Sequence, residues 1–164
     1  MEHPAITSLL AALAAEHGAL IGFVALLERE QQMLVNGLND ELQKLSGQKS
    51  TDAIQLNRLA QARLSILQKN IPQPNFASIN TWLETHSQEC LIIWQKTLLL
   101  AKRAQQLNHA NGELIQMKLR HNQQSLAVLS SAVNKANIYG PDWHANFLRG
   151  SGRLLVHGYI ALVQ

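Results

Sequence analysis

Charge, proline, cysteine and aromatic side chains are all scarce in this chain of 164 residues. The single cysteine, Cys90, excludes an internal disulfide framework and suits a reducing compartment. Set in "QECLIIW", it reads as a small core residue. Only four prolines occur, Pro4, Pro72, Pro74 and Pro141, and the long proline-free stretches between them suit helices. Charged residues make up 15%, with a net charge of +3 and no cluster of Lys and Arg, so no nucleic-acid footprint is present. No stretch approaches the roughly 18 uncharged apolar residues of a membrane span. The N-terminus, "MEHPAITSLLAALAAEHGALIGFVALL", lacks a positively charged start, and Glu16 and His17 interrupt it, which argues against a signal peptide. The expectation is a soluble, cytoplasmic protein.

Chemistry is also sparse. Seven histidines are present (His3, His17, His86, His109, His121, His144 and His157), but no two stand four apart around a carboxylate as in a zinc-protease helix. No glycine loop ends in Gly-Lys-Ser/Thr to cradle a phosphate. A phosphotransfer role would need an exposed helical His with a Lys and a small residue beside it. His109 has no Lys within the following turn, and His121 has Lys118 but no adjacent glycine. The sequence therefore predicts no catalytic residue, no metal, no cofactor and no small-molecule substrate.

What is abundant is helical periodicity: 46% of the residues are hydrophobic. Ile6, Leu9, Leu13, Leu20, Leu27 and Leu34 are spaced by threes, fours and sevens, a heptad-like seam that predicts a first helix over about 5–46. Gly18, Gly22 and Gly37 either permit close helix contact or soften it. "SGQKSTD" reads as a connection, with Gly47 as a C-cap and Ser50 or Thr51 as an N-cap. A second helix follows over about 52–70, its stripe running through Ile54, Leu56, Leu59, Ala60, Arg63, Leu64 and Leu67. After "NIPQPN", a third helical stretch covers about 76–136, with "FASINTWLETH" able to stand as a short helix of its own and a bend near His86–Ser87. The fold class is all-α: an elongated antiparallel bundle of about three helices (long, short, long) with a loosely ordered C-terminal segment. The division is a bundle domain over 1–138 and an arm over 139–164. Asn108 and Asn111 interrupt the apolar stripe of the last long helix; they read as a buried polar layer that sets helix register or, alternatively, as part of a partner surface.

The segment "LNHANGELIQMKLRHNQQSLAVL", followed by "YGPDW", resembles the C-terminal signature of FlgN-type flagellar export chaperones. The matching positions are Asn108, Asn111, Gly112, Leu114, Ile115, Asn122, Leu126 and Leu129, then Tyr139, Gly140, Pro141 and Asp142. Glu28, Glu30, Lys49 and Arg63 fit the family's upstream pattern. Trp143 departs from it, standing where the family often has glycine. The resemblance implies a cytosolic, non-enzymatic chaperone of the flagellar type III secretion system. Its expected partners are the hook-associated proteins of the hook–filament junction, the export-gate membrane protein and export-ATPase-associated proteins. Tyr139 in the Tyr-Gly-Pro-Asp turn is the expected gate contact. In the tail, Leu148, Leu155, Tyr159 and Leu162 fall on one helical stripe, and with Leu154 they are the expected cargo contacts; docking of the tail on its own bundle fits the same residues. Apolar seams on three helices also allow a homodimer. The competing reading is a structural coiled-coil subunit or adaptor of another secretion or regulatory assembly.

Overall fold

A computed structural model describes residues 4–134. Among them are four helices and no strand: α1 (Pro4–Asn36), α2 (Asn39–Gln68), α3 (Phe76–His86) and α4 (Gln88–Asn134). Side-chain contacts fix their directions. Glu16 of α1 meets Arg63 of α2, while Glu30 meets Lys49, so α1 and α2 are antiparallel. Ile6 lies beside Cys90 and Leu27 beside Asn111, so α1 and α4 are parallel. The bundle runs up, down and up, and α3 packs at the foot of α4.

The first turn falls earlier than the sequence suggests. α1 stops at Asn36 rather than near 46, because Gly37 adopts φ +74°, and the Leu38 amide then donates to the Met33 carbonyl at 3.1 Å. That is the six-to-one bond of a Schellman C-cap, which a residue without Cβ makes at least cost. The predicted connection at 47–51 is helical instead. The Ser50 and Thr51 hydroxyls donate to the carbonyls of Ser46 and Gly47, one turn back, rather than capping a new helix. The second helix is therefore 30 residues long and begins at Asn39, not Asp52. The bend at His86–Ser87 is a true break, which separates α3 from α4. α3 opens with a reciprocal cap: the Asn75 side chain accepts from the Ser78 amide, and the Asn75 amide donates to the Ser78 hydroxyl, each at 2.9 Å.

The core joins Leu9, Leu13, Leu20, Phe23 and Leu27 of α1, Leu56, Ala60 and Leu67 of α2, Ile79 and Leu83 of α3, and Cys90, Trp94, Ala101 and Leu107 of α4. Gly18 and Gly22 meet nothing within 4 Å of where a Cβ would stand, so neither serves close helix contact. By length and composition α1 could cross a membrane, contrary to the sequence expectation. Here it is a core helix, and its buried face carries Glu16 and Glu30, each ion-paired to α2.

Candidate functional site

The stripe of α4 that builds the core steps by fours and threes through Cys90, Trp94, Thr97, Ala101, Ala104, Asn108 and Asn111, all buried. Two polar layers cross it. In the lower layer, Arg63 Nε donates to Glu16 Oε2 at 2.7 Å, with the guanidinium 4.8 Å from the centroid of the Trp94 ring. Arg63 is 1% exposed and Glu16 0%. The pair lies out of contact with solvent, so losing either partner would remove the ion pair that the other makes inside the core. The Trp94 face supplies a cation–π contact of the kind that strengthens away from water.

In the upper layer, Lys49 Nζ grips the Glu30 carboxylate at 2.8 and 3.1 Å. Asn111 Nδ2 donates to Glu30 Oε2 at 2.7 Å and to the Leu27 carbonyl at 2.8 Å. One amide thus ties α4 to both the backbone and a side chain of α1, and through Glu30 to α2. Asn108, one turn earlier, is buried as well. The polar-layer reading of the two asparagines therefore holds for Asn111 by direct contact and for Asn108 by burial. Outside the core, Arg103 of α4 reaches Glu28 of α1 at 3.2 Å, both about half exposed, a pair of small energetic weight. Three of the four residues in the upstream pattern, Glu30, Lys49 and Arg63, thus belong to the two polar layers. Glu16 was visible only as an interruption of an apolar run; the signal that could have found it is Arg63, a charge on the apolar stripe of α2.

Further along α4 the remaining predicted positions part company. Leu114 and Ile115 are half-buried, Asn122 is exposed, and Leu126 and Leu129 are 64% and 61% exposed. The reason is length. α4 has 47 residues, roughly 70 Å, against 33 residues and roughly 50 Å for α1. The α1–α2 turn at Gly37 lies level with Lys118 of α4. Beyond it, α4 has no neighbour among the described residues, and every position from 120 to 133 is exposed. Tyr139, Gly140, Pro141 and Asp142, and Leu148, Leu154, Leu155, Tyr159 and Leu162, lie outside the described residues, as does the rest of the predicted arm.

Of the described histidines, His86 stacks on Trp82 with ring centroids 4.4 Å apart, and its Nδ1 lies 2.7 Å from the Trp82 carbonyl. His109 is exposed and lies 3.7 Å from Glu113 one turn on. Cys90 is buried, and that burial pushes its thiol pKa up; a hydrogen bond with Ser87 pulls the other way, and the charge of Glu89 adds to the rise.

Comparison with known proteins matches this chain, over residues 1–146, to the family described as FlgN protein. Two curated relatives are the flagella synthesis proteins FlgN of Yersinia enterocolitica and of its serotype O:8 / biotype 1B strain. Each is 36% identical over 120 residues, covering 71% of this chain and 75% of the relative. No solved structure matches. The family match spans all four helices and both polar layers, and the chain belongs to the FlgN family of flagellar assembly proteins.

Proposed function

We propose that this protein is a cytoplasmic export chaperone for the hook-associated proteins that join the flagellar hook to the filament. It holds them unassembled and delivers them to the export gate. Membership of the FlgN family across residues 1–146 carries the reading. The form of the molecule supports it: a bundle locked by one buried and one part-buried ion pair, from which one helix projects beyond its neighbours among the described residues. A chaperone of this kind needs a rigid body to be recognised and an appendage to engage a partner reversibly.

In this reading Leu148, Leu154, Leu155, Tyr159 and Leu162 bind cargo through apolar contacts. Tyr139, with the turn Gly140, Pro141 and Asp142, meets the gate membrane protein, and export-ATPase-associated proteins complete the partner set. No catalytic step, cofactor, nucleic acid or small-molecule substrate is involved.

The test is co-purification with the two hook–filament junction proteins, comparing the full chain with one ending at Ala136. A soluble complex formed by the full chain and lost on shortening supports the reading. Failure of both chains to bind overturns it. The bare apolar stripe on α4 favours a second reading, a coiled-coil subunit of a larger assembly. That reading predicts a stable homo-oligomer in the absence of cargo, which light scattering would detect.

A further inference from the structure

The core stripe of α4 does not end where the bundle ends. After Asn111 it continues with the same spacing through Ile115, Leu119, Asn122, Leu126, Leu129 and Val133. Its exposure climbs from 0% at Asn111 to 64% at Leu126 and 61% at Leu129. A three-four apolar seam is the signature of a helix that expects another helix against it. For the upper part of α4, α1 and α2 are too short to supply one.

We propose that the chain's own C-terminal segment, residues 148–162, folds back antiparallel along α4 and covers this seam. Three observations select that occupant. First, length: Leu148 to Leu162 is fourteen steps, as is Leu119 to Val133, so each stripe spans roughly 21 Å if helical. Second, pattern: Leu148, Leu155, Tyr159 and Leu162 share one side at helical spacing, while Arg149 and Arg153 fall on the other, away from Arg120 of α4. Third, tethering: the thirteen residues from 135 to 147 exceed the two to eight that usually reverse a chain between helices. A segment on so short a leash sees the seam at an effective concentration of about a millimolar.

A second copy of the chain is the poorer occupant. Leu119, Leu126, Leu129 and Val133 would each bury roughly 100 Å² in such a contact. From these four side chains two copies would then bury roughly 800 Å², against the roughly 1,200 Å² of total surface at which stable interfaces begin. Between Glu113 and Asp142 the sequence has no carboxylate, while Lys118 and Arg120 fall within that stretch. Copies paired in parallel would therefore set Lys118 and Arg120 against the same residues of the other copy.

The inference goes beyond the chaperone reading, and its test uses no cargo. Hydrogen exchange is measured on the full chain, on Leu126→Asp/Leu129→Asp, and on Met117→Asp, which alters an exposed residue on the other side of α4. Amides of 148–162 should exchange about tenfold or more slowly in the parent chain than in the double variant. Met117→Asp should retain the parent's protection, and amides of 90–111 should be unchanged throughout. The proposal is overturned by a segment that exchanges at the unstructured rate in the parent chain, or by protection that survives the double variant. It is equally overturned by protection that appears only between about 2 and 200 μM protein, since a second copy would then be the cover.

Discussion

Replacing Arg63 with methionine tests the central claim about the bundle. Arg63 and Glu16 are 1% and 0% exposed and 2.7 Å apart. Removing one partner takes from the other its ion pair inside the core, which costs about 3–5 kcal/mol. For a chain of this size that corresponds to a fall in Tm of roughly 6–20 °C. Glu16→Leu should cost a similar amount for the same reason. Replacing both together removes both desolvation penalties and leaves apolar groups of comparable volume, so Glu16→Leu/Arg63→Met should lie within about 2 kcal/mol of the parent, on either side. The assay is urea unfolding followed by far-UV circular dichroism, with all four proteins forming a double-mutant cycle. Its coupling energy should be at least about 4 kcal/mol, since two single losses of about 3 kcal/mol or more are set against a double within about 2 kcal/mol of the parent. Single changes costing less than about 1 kcal/mol, or additivity within about 0.5 kcal/mol, would refute the reasoning and show that water reaches the pair.

Three further predictions rest on single positions. Gly18→Ala and Gly22→Ala should each stabilise by about 1 kcal/mol, since both lie in a helix with open space at Cβ, whereas Gly37→Ala should destabilise by about 1–2 kcal/mol at its positive φ; opposite signs in urea melts are the check. Asn111→Asp sets a second carboxylate 2.7 Å from Glu30 in a buried layer and should lower stability by about 2–3 kcal/mol, more than Asn111→Leu in the same melts. Burial holds the Cys90 thiol above its ordinary range, so near about pH 8 the native protein should resist a thiol-specific reagent that labels the unfolded chain at once. The unfolded thiol loses its proton first as pH rises, so stability should fall as pH passes above the ordinary thiol range.

Much of the fold is local chemistry and could be read directly from the sequence. The three-four spacing of Leu9, Leu13, Leu20, Leu27 and Leu34 dictates a helix with one buried face whatever packs against it, and burial of all five follows. The Pro72–Pro74 stretch ends a helix because proline cannot continue one. Asn108 and Asn111 stood out as polar residues on an apolar stripe, and Asn111 is where α4 is tied to α1. Turn placement was harder. Gly37 and Gly47 look alike as isolated glycines, and both "NGLND" and "SGQKSTD" carry turn residues. Only the packing of Leu26 and Met33 against Leu45 fixes the reversal at the first of them. The partners of Glu16 and Glu30 lie 47 and 19 residues away, and charges so distant meet only when the helices are aligned. The bare seam also belongs to tertiary structure alone. Leu107 and Leu129 carry the same pattern in the sequence, yet one is buried and the other exposed, because α1 turns back at Gly37 and leaves the rest of α4 without a neighbour among the described residues.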